Sequence, residues 1–210
     1  MKILIIGATG ATGRELIKQA LQAGHQVTAL VRNPGKLKMS DNNLHIVKGN
    51  VLQYQNVSDA VAGQEAVLSA LGHKRFFIYT SILSAGTKNM IQALNMHHVN
   101  RFICITTLGI NDSRFKMGLY YTLFVIPVIL FFYFLDKRKQ EKLIRDSMLS
   151  WTIVRPCQLT NGKLTRKYKH GAHLGSYLFT KMISRANVAH FMLSQLNDTA
   201  YLKKEAGITN

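Results

Sequence analysis

The sequence predicts an α/β protein built on a doubly wound parallel sheet. Strands and helices alternate along the 210 residues, and a glycine-rich turn joins the first strand to the first helix. No linker, repeat or low-complexity stretch divides the chain, and 47% hydrophobic residues suffice for one sizeable core. We therefore predict a single domain over residues 1–210, in which about 157–210 contribute the part that covers a substrate.

The first strand–helix–strand unit is the clearest local pattern. An apolar strand over Lys2–Ile6 leads into a helix over Arg14–Ala23, whose apolar residues fall on one face before Gly24 ends it. Val27–Val31 predicts the second strand, so the glycine-rich turn lies inside a unit of about thirty residues.

The same alternation continues to the end of the chain. We predict strands over Leu44–Lys48, Ala66–Leu71, Arg101–Thr107, Trp151–Arg155 and Glu205–Thr209, and helices over Val57–Ala62, Ser84–Met96 and Ser184–Leu196. Parallel sheets bind ligands at the carboxyl ends of their strands. The segment from Pro156 to about Ser176 follows such an end, so we expect it to cover a cofactor and shape a substrate pocket.

Three glycines spaced by three indicate a dinucleotide pyrophosphate site. Gly7 permits the tight turn after the strand, Gly10 lets backbone N–H groups approach a phosphate, and Gly13 lets the helix pack on the sheet. The anion would lie at the helix N-terminus, which favours negative charge. A structural glycine turn is the alternative. The predicted contacts in this turn are Gly7, Thr9, Gly10, Ala11, Thr12 and Gly13.

The residue that follows the second strand indicates which dinucleotide binds. An acid there would bond a ribose 2′-hydroxyl, whereas Arg32 suits a 2′-phosphate, and Lys36 and Lys38 follow in the same loop. We therefore predict NADP(H) in preference to NAD(H). The alternative is a solvated basic loop in a basic protein.

Charge and cysteine usage exclude several classes of function. The net charge of +17 is not accompanied by stacking aromatics or a nucleic-acid-binding module, so we expect attraction for phosphorylated ligands and no nucleic-acid partner. Within the helix that follows Asp136, three pairs are spaced by four residues: Lys137–Glu141, Glu141–Arg145 and Lys142–Asp146.

Cys104 and Cys157 lie in or beside apolar strands, which favours a reducing compartment over a disulfide framework. We predict no metal site, because His170 and His173 have no carboxylate or thiolate partners at ligand spacing. The apolar start of the chain is taken up by the first strand and is not followed by a cleavage site. We therefore expect a cytoplasmic protein.

Four segments resemble the atypical short-chain dehydrogenases/reductases, in particular the biliverdin reductase B type flavin reductases and the NmrA-like proteins. These segments are Gly7–Gly13 with Val31–Pro34, Val61–Gly72, Ser147–Pro156 and Ile183–Ala189. The resemblance implies a Rossmann fold, NAD(P) binding and hydride transfer. It places Asn50 and Asn187 where the family usually has acids, and Thr107 where a serine lies beside the nicotinamide. The further cofactor contacts expected at the strand ends are Asn50, Val51, Ala70, Leu71, Gly72, Thr106 and Pro156.

Tyr133 and Lys137 have the Tyr-x-x-x-Lys spacing of the broader superfamily. On a helix this spacing places both side chains on one face, where the lysine can hold the nicotinamide ribose while the phenol exchanges a proton with the substrate. Chance is the alternative, since Tyr133 lies among many aromatics. The candidate catalytic residues are thus Thr107, Tyr133 and Lys137, and we expect Thr107→Val to reduce turnover more than Tyr133→Phe.

The segment Leu119–Leu135 carries no charge over seventeen residues, but it contains Pro127 and lies between strands of one sheet. This argues against a membrane span and for a lid, a dimer face or a shallow membrane contact reinforced by residues 137–139. We predict an NADP(H)-dependent oxidoreductase acting on a flat or apolar small molecule such as a flavin, quinone or carbonyl compound. The alternatives are an NADP(H)-sensing NmrA-like regulator that binds a partner protein through residues 119–135, and a membrane-peripheral protein whose cofactor is structural.

Overall fold

The computed structural model describes residues 1–172 and 174–210; His173, considered above as a metal ligand, lies outside this part of the chain. The strands are β1 Lys2–Ile6, β2 Gln26–Val31, β3 Leu44–Lys48, β4 Ala66–Ser69, β5 Arg101–Ile105, β6 Ser150–Pro156, β7 Gln158–Thr160, β8 Lys169–Gly171, β9 Met182–Ser184 and β10 Lys204–Thr209. The helices are α1 Ala11–Gln22, α2 Tyr54–Val61, α3 Ile82–Met96, α4 Phe131–Arg145 and α5 Arg185–Ser194.

The main sheet has eight strands in the order β3-β2-β1-β4-β5-β6-β10-β8. The first seven run parallel, and β8 pairs antiparallel with β10 at the edge. Helices α1 and α5 pack together over one face of the sheet, and α2, α3 and α4 cover the other. Both faces of the sheet are therefore buried in apolar clusters, which explains why its central strands read as continuous apolar runs. The predicted doubly wound parallel sheet is confirmed.

Several element boundaries differ from those predicted. Helix α1 begins at Ala11, three residues earlier than expected, because Gly10 itself occupies the N-cap position. Strand β5 ends at Ile105, which leaves Thr106 and Thr107 in the loop that follows. Within residues 157–210, β10 joins the central sheet and α5 packs on α1, so these two elements are part of the core.

The uncharged segment forms two consecutive helical elements. Residues Tyr121–Ile129 form a π-helix, in which the Leu130 N–H donates to the Val125 carbonyl at 3.0 Å, and α4 follows directly. Pro127 lacks an N–H and is accommodated within this wider coil. Among the described residues, no helix has both the length and the apolar character needed to cross a membrane.

A carboxylate of α4 anchors the start of α3. Asp136 is buried, and its two oxygens accept hydrogen bonds from the N–H groups of Leu83 and Ser84 at 2.8 and 3.1 Å. An acceptor at a helix N-terminus satisfies unpaired donors and interacts favourably with the helix dipole. This contact fixes α4, which also carries Tyr133 and Lys137, against the N-terminus of α3.

Candidate cofactor-binding site

The three glycines have different surroundings. Gly7 has a φ of +81°, and a β-carbon there would collide with the backbone of Ala70. A β-carbon at Gly13 would collide with the Gly7 carbonyl. At Gly10 the backbone is extended and the only heavy atom near a β-carbon would be the Gly7 oxygen, at 3.2 Å. Gly7 and Gly13 are therefore required by the fold, whereas the space beside Gly10 is open.

The N-terminus of α1 is suited to an anion. Gly10 is the N-cap, and no side chain of the described residues accepts a hydrogen bond from the first turn. The first turn also contains no acidic residue. Unpaired N–H groups and the helix dipole thus meet the open space beside Gly10, which fits a pyrophosphate. Of the neighbouring predicted contacts, Ala11 is exposed, Thr9 is half-buried and Thr12 is buried.

Two of the predicted phosphate-binding cations lie in the loop after β2. Arg32 directly follows the strand and is exposed, and Lys36 ends the 3-10 turn Pro34–Lys36. The side chain of Asn33 stabilises this turn, because its Oδ1 accepts the Gly35 N–H at 3.1 Å. Arg32 and Lys36 therefore lie beside the carboxyl end of β2, and the exposed Lys38 follows in the same loop.

A cation of α1 connects this loop to the glycine turn. The Arg14 guanidinium donates from Nη2 to the Lys36 carbonyl at 2.6 Å and from Nε to the Thr9 carbonyl at 3.2 Å. Sequence reasoning missed this residue. A signal was available, because a cation in the first turn of a helix opposes the helix dipole unless carbonyls or an anion compensate it.

The loop after β3 is held by its own amides. The Asn50 Oδ1 accepts the Leu52 N–H at 3.1 Å, and the Asn50 N–H donates to the Asn56 Oδ1 at 2.9 Å. Asn50 therefore keeps its side-chain N–H groups for a ligand, where an acid would offer only acceptors. Val51 is buried, and its carbonyl accepts from Asn89 at 2.9 Å, which joins this loop to α3.

At the carboxyl ends of β4 and β6, the predicted cofactor contacts are fixed mainly by backbone hydrogen bonds. The Ala70 N–H donates to the Ile6 carbonyl at 2.8 Å, which sets the chain close to Gly7, and Leu71 follows half-buried. Pro156 is buried at the end of β6, and its carbonyl accepts the Leu108 N–H at 3.0 Å.

Two of the predicted threonines have hydroxyls that are already engaged. The Thr106 hydroxyl donates to the Glu141 Oε1 at 2.7 Å. Thr107 is half-buried, and its hydroxyl donates to the Leu108 carbonyl at 2.9 Å, which leaves its oxygen free to accept. The Thr106 hydroxyl is therefore occupied by the buried Glu141 carboxylate, whereas Thr107 is more accessible to solvent.

Tyr133 lies beside the carboxyl end of β4. Its Oη would be 3.7 Å from a β-carbon placed at Gly72, and its ring makes edge contacts with His73 and Phe76 at centroid distances of 5.0 and 5.7 Å. Within the described residues, no group hydrogen-bonds to this hydroxyl. The structure therefore brings the phenol to the edge of the sheet where a cofactor would bind.

Lys137 shares the helical face of Tyr133 but is fully buried. Its Nζ lies 5.7 Å from the centre of the Tyr133 ring, and it donates to the Ile105 carbonyl and to the Gln140 Oε1, both at 3.0 Å. Gln140 in turn donates to Thr87. The predicted spacing is thus realised on α4, with two of the three ammonium donors held by the protein.

Thr106 bonds to an ion cluster in which Arg155 and Glu141 are buried and Asp112 is exposed. The Arg155 guanidinium bonds both oxygens of Glu141 at 2.9 and 2.7 Å, and it also contacts Asp112 at 2.8 Å. Although burial opposes its charge, hydrogen bonds and the charges of these two carboxylates raise the pKa of Arg155. Burial likewise opposes ionisation of Asp112, but the charge and hydrogen bond of Arg155, a backbone hydrogen bond and the charge of Arg145 together hold the pKa of Asp112 below its ordinary value.

The three predicted helical ion pairs have different outcomes. Glu141–Arg145 forms at 3.2 Å and Lys142–Asp146 at 3.1 Å. Lys137–Glu141 does not form, which corrects the prediction. The Lys137 ammonium instead donates to the carbonyl of Ile105 in β5, and the Glu141 carboxylate accepts from Arg155 in β6.

The described residues contain no group of three or more metal-ligating side chains. Both cysteines are free and buried. Burial raises the pKa of the Cys104 thiol to about 11 and also raises that of Cys157, so neither is a reactive thiolate. His170 is satisfied by Tyr201, with Nδ1 2.8 Å from the phenol oxygen.

A cavity of about 500 Å³ lies at the opposite edge of the sheet. It is lined by residues such as Arg101 and Ser150, which begin β5 and β6, and by Asp198. Ligands of parallel sheets bind at the carboxyl ends of the strands, so this cavity is separate from the candidate site.

Taken with the strand order, the open approach at Gly10 and the uncapped helix define a dinucleotide-binding Rossmann protein. A family model described as NAD(P)H-binding matches residues 7–199. The chain belongs to this NAD(P)H-binding family, which confirms the predicted nicotinamide cofactor class.

Relatives include an uncharacterised chloroplastic protein of Arabidopsis thaliana, 31% identical over 76% of this chain, and protein TIC 62 of Pisum sativum, 28% identical over 96%. The chain spans only 60% and 41% of these two proteins.

Three solved structures share the fold over the whole chain. The oxidoreductase ylbE from Lactococcus lactis has a TM-score of 0.85 at 20% identity, with 91% of that chain covered. ChuY, an anaerobillin reductase from Escherichia coli O157:H7, has 0.82 at 19% identity with 97% covered. A short-chain dehydrogenase/reductase from Veillonella parvula in complex with NADP has 0.80 at 18% identity with 94% covered.

Proposed function

We propose that this protein is an NADPH-dependent reductase of a flat, apolar small molecule. The observation that carries the proposal is that the open, uncapped start of α1 beside Gly10 and the Tyr133 hydroxyl lie at the carboxyl ends of the neighbouring strands β1 and β4. The first feature fits the pyrophosphate of a dinucleotide, and the second offers a proton close to the expected reacting end.

The preference for NADPH rests on three cations. Arg32 and Lys36 lie in the loop after β2, and Arg14 reaches the same loop through the Lys36 carbonyl. A guanidinium can bind a 2′-phosphate with two hydrogen bonds, and no acid follows β2 to hold a free 2′-hydroxyl. The NADP complex of the Veillonella neighbour is compatible with this preference.

The bound nicotinamide supplies a hydride, and the chain supplies binding, orientation and a proton. A reduced cofactor, a quinone and one proton give the oxidised cofactor and a quinol. Tyr133 is the proposed proton donor, because its hydroxyl has no partner among the described residues. Thr107 is the proposed orienting group, since its oxygen can accept from the substrate or the nicotinamide amide. We assign Lys137 to positioning Tyr133, with one ammonium donor left for the cofactor ribose.

Two measurements test the proposal. Titration with NADPH and NADH, followed by nicotinamide fluorescence, is expected to give about tenfold or greater preference for NADPH, as loss of a charge-assisted contact costs about 1.5–3 kcal/mol. Steady-state oxidation of NADPH is then measured with flavins, quinones and aldehydes. Tight binding without turnover on any acceptor would contradict the reductase and favour the NADP(H)-sensing regulator; absence of binding would contradict both.

A further inference from the structure

Three segments near the candidate site expose apolar side chains. They comprise residues 77–79 after β4, residues 115–132 before and within the start of α4, and residues 177–179 before β9. We call their exposed apolar side chains the apolar rim. Phe77, Phe124 and Phe179, one from each segment, are 72%, 60% and 71% exposed. Single exposed apolar residues are common, but an accumulation of this kind marks a contact surface.

The segments of the apolar rim touch one another. The Tyr79 and Phe132 rings meet at a centroid distance of 6.2 Å, which joins the first segment to the second. The Leu119 N–H donates to the Leu178 carbonyl at 3.3 Å, which joins the second to the third. The rim is therefore one surface, although its parts are distant in sequence.

The inner side of the rim is anchored in the protein. Tyr121 and Ile126 pack against a small buried cluster formed by Leu108, Met117 and Cys157. Phe124, on the outward side of the same π-helix, stacks on the exposed Tyr120 ring at a centroid distance of 6.1 Å and stays exposed itself. The segment thus has an attached inner side and a free outer side.

The charged residues within and directly beside the rim segments are all cations over the three ranges that follow. Residues 72–80, 113–135 and 174–182 contain Lys74, Arg75, Arg114, Lys116 and Lys181, and they contain no aspartate or glutamate. The whole chain carries a net charge of +17. Exposed aromatic residues combined with lysine and arginine are the composition of segments that lie in the interface of an anionic membrane.

We propose that the apolar rim docks on the surface of an anionic phospholipid bilayer. A second copy of the chain would bring these cations against their equivalents and repel, whereas lipid phosphates attract them. The rim would lie at the interface and not cross it, because no described helix is long and apolar enough to span a membrane.

Docking would also define the substrate class. Phe76, beside the first rim segment, contacts the Tyr133 ring, so the rim adjoins the proposed proton donor. The acceptor is then an apolar molecule dissolved in the bilayer, such as a quinone. This second step rests on the proposed reductase function, whereas docking itself does not.

Vesicle flotation tests docking directly. The purified chain is mixed with vesicles of phosphatidylcholine alone or of phosphatidylcholine with phosphatidylglycerol. We expect strong binding only to the anionic vesicles, weakening as salt is raised. Phe124→Ser with Phe179→Ser should reduce the partition coefficient at least about tenfold, compared with the matched control Met96→Ser with Met148→Ser, whose exposed methionines lie outside the rim.

A charge-reversal pair separates attraction from apolar insertion. Arg114→Glu with Lys181→Glu should lower binding at least about twentyfold, since each cation near the surface contributes about fivefold. Lys18→Glu with Lys88→Glu, two exposed cations of α1 and α3, is the control and should lower binding much less. Equal effects of the two pairs would overturn the rim as the contact. Failure of the wild type to bind anionic vesicles, or a dimer abolished by the phenylalanine variants, would overturn docking.

The acceptor is tested with a long-chain quinone in anionic vesicles and a short-chain, water-soluble analogue. Faster NADPH oxidation with the embedded quinone, lost in the phenylalanine variants while turnover of the soluble analogue persists, is expected. Vesicle binding without turnover of either quinone would contradict the proposed reductase acting on quinones and leave docking standing. Equal loss of both activities in the variants would contradict the bilayer as the source of the acceptor.

Discussion

Arg155 and Glu141 form a buried two-point ion pair that joins β6 to α4. The two guanidinium nitrogens lie 2.9 and 2.7 Å from the two carboxylate oxygens, and both side chains are almost fully inaccessible to solvent. Thr106 and Asn111 add hydrogen bonds to the same carboxylate. The helix that carries Tyr133 is thereby tied to the carboxyl end of the sheet.

Removing one charge of this pair should destabilise the fold. We expect Glu141→Gln to lower the free energy of unfolding by about 3 kcal/mol, because it removes the buried charge that compensates Arg155 and leaves the exposed Asp112 as the anionic partner. Urea denaturation measures the change. The control is Asp146→Asn, which breaks the exposed pair with Lys142 and should cost less than about 1 kcal/mol. An equal loss of unfolding free energy in the two variants would show that the buried pair stabilises the fold no more than the exposed pair does.

Two glycines of the turn have different roles, Gly10 in cofactor binding and Gly13 in folding. Gly10→Val should abolish NADPH binding with little change in melting temperature, since its extended backbone accepts a side chain that would occupy the phosphate space. Gly13→Val should instead prevent folding, because its β-carbon would overlap the Gly7 carbonyl. Isothermal titration and thermal unfolding measure the two effects. A folded Gly10→Val protein with unchanged affinity would remove the cofactor site.

Cofactor preference should reverse when charge after β2 is reversed. Arg32→Asp is expected to weaken NADPH binding by roughly ten- to a hundredfold and to favour NADH, as it removes a cation and adds an acceptor for the 2′-hydroxyl. Lys18→Asp, an exposed cation further along α1, is the matched control. Preference for NADPH that survives in Arg32→Asp would assign discrimination to Arg14 and Lys36 instead.

The structure changes the expected order of the two hydroxyl variants. Thr107 already donates to the Leu108 carbonyl, whereas the Tyr133 hydroxyl has no hydrogen-bond partner in the described part of the chain and lies beside Gly72. We now expect Tyr133→Phe to lower kcat at least about tenfold with NADPH affinity nearly unchanged, and Thr107→Val to have the smaller effect. Rapid-mixing kinetics with the best acceptor measures both. The reverse order would return the main role to Thr107.

Alkaline pH should lower the free energy of unfolding through the buried thiol of Cys104. Burial raises its pKa to about 11 from 9.0, so the folded chain keeps a proton that the unfolded chain releases. Its contribution to stability is complete below pH 9 and falls as the pH rises towards about 11. Between about pH 8.5 and 10.5, the wild type should lose about 1.5–2 kcal/mol more unfolding free energy than Cys104→Ala. An equal loss of unfolding free energy in the wild type and in Cys104→Ala, measured by urea denaturation at the two pH values, would contradict this assignment.

The sequence predicted the sheet well because its signals are local. Apolar runs mark strands buried on both faces, and the glycines mark the turn after β1. The direction of the Lys137 ammonium could not be predicted, since it depends on a carbonyl of β5 that is distant in sequence. The same holds for Asp136, whose partners are the N–H groups of another helix. Tertiary contacts, not spacing, decide such roles.

The Arg14 bridge means that the distance between the two expected phosphate positions is set before a ligand arrives. Its guanidinium holds the Thr9 and Lys36 carbonyls at once, so the turn at α1 and the loop after β2 form one preorganised unit. On the proposed assignment, a dinucleotide with a 2′-phosphate would engage both ends without ordering the loop, whereas a mononucleotide would engage one. Part of the entropy cost of binding such a dinucleotide would thus be met during folding.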